Sequence, residues 1–231
     1  SAYVKISDGC DNRCTYCAIP LIRGRYASRP FEDIVEECRA LADQGVTEIT
    51  LIAQDTSRYG CDLGDGHYLL PELLEAVSAI EKVHWVRVLY CYPDSTEDRL
   101  LDTIARLPKV AKYLDLPLQH INDELLIQMN RRGTSEWIRS RIDECHRRGL
   151  LVRTTMIVGF PGETEAQFEE LMDFVKTARF ERLGAFTYSP EEGTKAAKMP
   201  NQIDEETKTR RLDQLMMLQQ AISMELNEAR I

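Results

Sequence analysis

A chain of 231 residues, 43% hydrophobic and 29% charged, has the balance of an ordinary water-soluble fold and the length for one sizeable core. No apolar run approaches the roughly 20 residues that cross a bilayer, and the start of the chain has neither a basic nor an apolar leader, so a cytoplasmic protein without membrane contact is expected. The net charge of −9, from 29 Lys and Arg against 38 Asp and Glu, disfavours a generic nucleic-acid binder, because phosphate affinity comes from cationic side chains. It suits a basic protein partner better.

A first strand at 3–6 runs into a loop that holds three cysteines. Residues 31–44 predict a helix, opened by Pro30 with Glu32 and Asp33 in its first turn and stopped by Gly45. An apolar, β-branched strand at 48–53 follows, then a helix at 71–81 and a strand at 85–92 halted by Pro93. A helix at 96–106 buries Leu100, Leu101 and Ile104, and the fourth strand is 113–118. Helical segments at 123–130 and 135–148 precede a fifth strand at 150–158. Thr164 and Gln167 form a capping-box pattern for a helix reaching 177, and a sixth strand spans 183–188. After a polar loop at 189–203, residues 204–231 read as a charged helix with Leu212, Leu215, Met216, Ile222 and Leu226 facing inward. Six strands alternating with helices predict an α/β fold with a parallel sheet, either a partial barrel or an open doubly wound sheet. Both place chemistry on the loops after the strands' C-terminal ends, where the cysteine loop lies.

Seven cysteines, three of them within residues 10–17, fit metal binding better than a disulfide framework. Cys38 and Cys145 sit on apolar helix stripes and Cys91 in a strand, so these three read as core residues; Cys61 lies in a loop without an assignment. The motif is Cys10-Asp-Asn-Arg-Cys14-Thr-Tyr16-Cys17. Three thiolates at this spacing can ligate three irons of one cubane cluster and leave the fourth iron open to a ligand. A structural zinc site that docks a partner is the competing reading, but zinc asks for four ligands, and neither His67 nor His120 completes a standard spacing. A redox pair of Cys14 and Cys17 would leave Cys10 idle. Lys195, Lys198, Arg23 and Arg25 are too few for a phosphate track and read as solvated surface.

With those residues in place, the chain resembles the radical S-adenosylmethionine (SAM) methylthiotransferases. CxxxCxxC with an aromatic residue before the last Cys is the signature of the radical SAM superfamily, and the text around it, from Ile6 through Pro20 and on to Arg23-Gly24-Arg25-Tyr26 and Ser28-Arg29-Pro30, is similar to the methylthiotransferases. Leu51 to Gly60 resembles the RimO branch, which acts on an aspartate of ribosomal protein S-twelve. So do Tyr90-Cys-Tyr-Pro-Asp94, Pro117-Leu-Gln-His-Ile121 and Tyr188 to Thr194. The tRNA-modifying, MiaB-like branch more often has Gly-Gln-Asn where this chain has Ala53-Gln54-Asp55.

The resemblance implies a partial (β/α)6 TIM-like barrel of the radical SAM type over residues 1–203, with 204–231 a helix leading toward a target-binding β domain. It implies a 4Fe–4S cluster on Cys10, Cys14 and Cys17 that cleaves SAM reductively to a 5′-deoxyadenosyl radical, for methylthiolation of a small-subunit ribosomal protein. A second 4Fe–4S cluster is expected only in an N-terminal domain outside these residues. An electron donor such as flavodoxin or ferredoxin, and a monomer without direct nucleic-acid contact, are also expected. By position, Tyr16 would pack by the adenine, Gln54 and Asp55 would meet the methionine amino group, and Gln119 and Arg153 the ribose and carboxylate. Gly159 and Gly162 lie in the family's glycine turn beside the adenosine. Each has a plainer reading as a loop cap, an ion pair or a turn. Tyr92 and Tyr188 are candidates for the substrate space, although aromatic strand residues are more often core.

Overall fold

The computed structural model describes residues 1–229 and realises the alternation as six parallel strands in chain order. The elements are β1 (Ala2–Lys5), β2 (Ser7–Asp8), α1 (Ile19–Arg23), β3 (Ala27–Ser28), α2 (Phe31–Asp43), β4 (Glu48–Ile52), α3 (Leu70–Ser78) and β5 (Trp85–Val88). Then come α4 (Asp98–Arg106), β6 (Tyr113–Asp115), α5 (Asp123–Gln128), α6 (Ser135–Arg147), β7 (Leu151–Val158), α7 (Glu165–Ala178), β8 (Arg182–Thr187) and α8 (Glu205–Glu228).

Strands β1-β4-β5 and β6-β7-β8 form two parallel three-stranded sheets. Backbone hydrogen bonds join them: Val86 N to the Lys109 carbonyl at 2.8 Å, Ala111 N to Val86 O at 2.9 Å, and Cys91 N to Asp115 O at 2.9 Å. Among the described residues β1 and β8 do not pair with each other, so the barrel is partial and open. The period of two explains its two faces. Val4, Ile49, Leu51, Val86, Val88, Leu114, Val152, Met156 and Val158 are buried in the main core with the helices. The alternate residues Tyr3, Lys5, Trp85, Leu151, Arg153 and Phe186 are exposed on the other face.

The expected capping box opens α7, with Thr164 N donating to Gln167 Oε1 at 2.9 Å and Gln167 N to Thr164 Oγ1 at 3.3 Å. Other boundaries differ from expectation for backbone reasons. The third strand ends at Val88 because Tyr90 takes a left-handed φ of 61°. The fourth ends at Asp115, and beyond it the chain bridges back to β7 at Gln119, whose φ is 74°, opposite Met156. The short antiparallel pair β2–β3 and helix α1 lie in stretches assigned no element from sequence. Met216 of α8, expected inward, is 37% exposed. Leu215 and Ile222 are buried as expected and Leu212 and Leu226 pack partly buried against the core, while Lys208, Arg211 and Gln219 also face inward, Arg211 and Gln219 finding buried partners in Glu163 and the Phe180 carbonyl. The last two positions expected in this helix, 230 and 231, lie outside the described residues.

Candidate metal and cofactor site

The cysteine loop is seated by hydrogen bonds from both halves of the sheet. At its start Gly9 adopts φ 73°, and a Cβ there would lie 2.1 Å from the Arg25 carbonyl oxygen, so only glycine lets the two segments approach. Cys10 N donates to Gly24 O at 3.2 Å, and Cys17 N to Cys14 O at 3.0 Å. From the first half, Asp55 is fully buried and accepts from Asn12 Nδ2 and from Ser57 Oγ, each at 2.8 Å. Burial pushes the Asp55 carboxyl above its ordinary range. From the second half, the end of α5 clamps the loop. Asn130 Nδ2 donates to the carbonyls of Asn12 and Arg13 at 3.0 Å each, Thr15 N donates to Met129 O at 3.0 Å, and Thr15 Oγ1 to Gln128 O at 2.8 Å.

Above the loop opens a cavity of about 410 Å³. It lies at the C-terminal ends of the strands: Lys5 from β1, Ile52 from β4 with Ala53 and Gln54 just after it, Tyr90, Cys91 and Tyr92 after β5, and Pro117 and Gln119 after β6. Cys10, Cys14, Cys17, Asn12, Tyr16, Ile19 and Arg131 complete the wall. Two wall residues, Tyr90 and Gln119, hold the left-handed backbone that non-glycine residues avoid, a form of strain that clusters at functional sites.

These residues fit an iron–sulfur cluster with SAM. Three free thiols, Cys10, Cys14 and Cys17, line one wall of the cavity, whereas a closed zinc site takes four ligands. Cys91 also borders the cavity, but its thiol belongs to the main core, with Asp55, Asp115 and Cys145 as its electrostatic neighbours. Burial pushes the Cys10 thiol up to about 11, so a metal must displace its proton to bind there. Gln54 Oε1 is buried on the wall without a hydrogen-bond partner, an acceptor waiting for a donor such as an amino group.

Of the residues singled out from sequence, Tyr16, Gln54 and Gln119 line the cavity together with the three cysteines. Asp55 stands behind the wall, engaged with Asn12 and Ser57. Arg153 lies lower on the open face, half-exposed, with its Nε 3.8 Å from Asp115 Oδ1. Gly159 and Gly162 sit in the turn after β7, away from the cavity wall. A Cβ on Gly159, whose φ is 72°, would meet the Lys208 side chain of α8 at 2.3 Å. Tyr92 is on the wall, whereas Tyr188 packs edge-on against Phe160, their ring centroids 5.5 Å apart, in a smaller apolar cluster that Tyr16 also borders.

Sequence reasoning passed over Arg131 on the wall and a buried triad behind the glycine turn. His120 Nδ1 accepts from Asn122 N at 3.0 Å, so the ring proton sits on Nε2, which donates to Glu163 Oε1 at 3.1 Å. Glu163 Oε2 accepts from Gly159 N at 2.5 Å and from Arg211 Nη1 at 2.6 Å. The triad ties the Gln119 loop, the glycine turn and α8 into one unit. Asn130, with φ 55°, was the readable sign that α5 ends there and turns Arg131 back inward.

A sequence profile described as the radical SAM superfamily matches residues 4–175. The ribosomal protein uS12 methylthiotransferase RimO of Carboxydothermus hydrogenoformans is 52% identical over 229 residues, which is 98% of this chain and 52% of that protein. The protein of the same name from Caldicellulosiruptor saccharolyticus is 50% identical over 237 residues, 100% of this chain and 52% of its own length. The chain thus spans about half the length of the curated relatives it matches. Among solved structures, the radical S-adenosylmethionine methyltransferase TsrM from Kitasatospora setae, with cobalamin and a 4Fe–4S cluster bound, has a TM-score of 0.64 at 20% identity, covering 80% of this chain and 36% of that one. Methylornithine synthase (PylB) has a TM-score of 0.62 at 18% identity, covering 94% and 62%. Both structural likenesses concern the fold, which is the open parallel barrel described above. The profile covers well over half of the sequence, including the three cysteines, and the chain belongs to the radical SAM superfamily.

Proposed function

We propose that this chain is the SAM-cleaving core of a methylthiotransferase whose substrate is an aspartate of a small-subunit ribosomal protein. The observation that carries the reading is the convergence of Cys10, Cys14 and Cys17 with the unpartnered Gln54 oxygen on one cavity at the strand ends. Half-identical relatives named for uS12 methylthiolation support the substrate, and so does the acidic charge of −9, which suits a basic ribosomal protein.

In this reading the three thiolates hold one 4Fe–4S cluster, which when bound supplies the electron that opens a C–S bond of SAM. Gln54 accepts the methionine amino group, Gln119 presents its amide to the ribose or carboxylate, and Tyr16 walls the adenine side. Asp55 acts one step back by fixing Asn12 and thereby the loop. Arg153, Gly159 and Gly162 shape the open face and the turn rather than the cavity lining. The glycine turn is held to α8 through Glu163 and Arg211, so α8 serves the core as well as leading toward a target-binding domain. Methylthio transfer itself is assigned to the whole protein, with a second cluster in an N-terminal domain, and a low-potential donor such as flavodoxin or ferredoxin supplies electrons.

Anaerobic reconstitution and reduction of this chain, followed by chromatography, tests the reading. The expected outcome is 5′-deoxyadenosine from SAM without methylthiolated peptide. Absence of 5′-deoxyadenosine from a fully iron-loaded chain contradicts the proposal. With the full-length protein, modification of a tRNA in place of the ribosomal peptide overturns the substrate assignment.

A further inference from the structure

Arg131 is 9% exposed, and its surroundings are unusual for a buried cation. One arm, Nη1, lies 4.0 Å from Cys14 Sγ, and the other donates to the Pro117 carbonyl. The guanidinium carbon stands 4.0 Å from the centroid of the Tyr92 ring, and the Tyr92 hydroxyl is 3.8 Å from the same Cys14 sulfur. Among the described residues no carboxylate pairs with Arg131, whereas the other buried cations have one: Arg211 meets Glu163 and Glu165, and Lys208 meets Glu205.

A guanidinium out of water without a counter-charge is costly, and a ring face offsets only part of that cost. The site therefore asks for an anion. Of its ionisable neighbours Tyr16, Tyr92 and Cys14, only the thiol is a group that a bound metal holds as an anion, and its sulfur faces both Arg131 and the Tyr92 hydroxyl. A structural strut would explain the bond to Pro117. It does not explain why a guanidinium and a phenol both meet one thiol.

We propose that Arg131 and Tyr92 act through Cys14 to set the reduction potential of the cluster, raising it by placing a positive charge and a hydroxyl donor against that ligand's sulfur. The inference rests on the reading that Cys14 holds a 4Fe–4S cluster. Reduction adds one negative charge to the cluster, so a fixed cation and donors beside a ligand sulfur favour the reduced form. Sequence spacing does not reveal this, because the two residues reach Cys14 from different loops.

The test is a redox titration of the anaerobically reconstituted chain. One electron passes from dithionite, through mediators, to the oxidised cluster, and electron paramagnetic resonance counts the reduced form. Iron and sulfide are measured on every sample. Arg131→Met is expected to weaken reduction by about tenfold or more, equivalent to about 59 mV for a one-electron couple. Tyr92→Phe keeps the ring and loses the hydroxyl, and is expected to shift the potential in the same direction by less. Arg131→Lys keeps the charge, cannot span Pro117 and Cys14 together, and is expected to fall between wild type and the Met variant. An unchanged potential in a fully loaded Arg131→Met chain overturns the inference. If that variant does not load, wild-type potentials in both the Lys and Phe variants overturn it. Failure of the wild type itself to hold iron removes the cluster reading, and this inference with it.

Discussion

Among the described residues two arginines sit almost out of water, and their partners divide the architecture of the molecule from its chemistry. Arg211 of α8 is 4% exposed and surrounded by carboxylates, with Nη1 at 2.6 Å from Glu163 and Nη2 at 3.0 Å from Glu165. Its charge is neutralised by the fold, and the pair also orients His120 and the Gly159 amide. Arg131 is 9% exposed and meets a carbonyl, a ring and a thiol, with no carboxylate among the described residues. The fold leaves that charge unmatched at the cavity. A buried ion whose partner is already present holds structure together; one without a partner marks where an anion belongs.

The comparison breaks first at Glu163. Glu163→Gln leaves Arg211 with only the half-exposed Glu165, and should cost about 3 kcal/mol of stability in urea unfolding, the low end for losing one partner of a buried pair. A loss below about 1 kcal/mol would mean that the triad does not hold α8. Combining Glu163→Gln with Arg211→Met should cost less than the sum of the two single changes, because no stranded cation remains. Strict additivity would show that the two groups are not coupled.

Arg131→Met should behave in the opposite way. In the metal-free chain it removes a desolvated charge that has no carboxylate to lose, so stability should change by less than about 1 kcal/mol. A loss matching that of Glu163→Gln would make Arg131 a structural residue and erase the contrast. The smallest effect concerns acid. Hydrogen bonds from Arg210 and then Arg211 lower the Glu165 carboxyl to about 2 from a model-peptide value of 4.5. A depressed carboxyl contributes stability above its unfolded value and loses it as pH falls through the folded one. The α8 contact should therefore weaken between about pH 4.5 and pH 2, and Glu165→Gln should flatten that part of the stability–pH curve. The effect is modest because Glu165 is half-exposed.

The sequence carried the features whose physics is local. Alternation of strand and helix and the Thr164–Gln167 capping box each depend on residues a few positions apart and are present in the structure, and Cys10, Cys14 and Cys17, close in sequence, line one cavity. Long-range charge matching was less legible. Arg131, in the run Asn-Arg-Arg-Gly, looks like any solvated cation until Tyr92 and Cys14 are seen beside it. Arg211 took the inward place on α8 because its partner lies 48 positions earlier, which hydrophobic periodicity does not register and which left Met216 facing out. The strand ends were overextended for a related reason: Tyr90, inside the expected third strand, and Gln119, just past the expected fourth, take left-handed backbone on the cavity wall.

Anaerobic iron and sulfide determination, on the wild-type chain and on a variant with Cys10, Cys14 and Cys17 all changed to Ala, tests the central claim most directly. About four irons and four sulfides per wild-type chain, with neither retained by the variant, is the predicted result. Stoichiometric zinc in a colourless wild type, or iron retained by the triple variant, would contradict it.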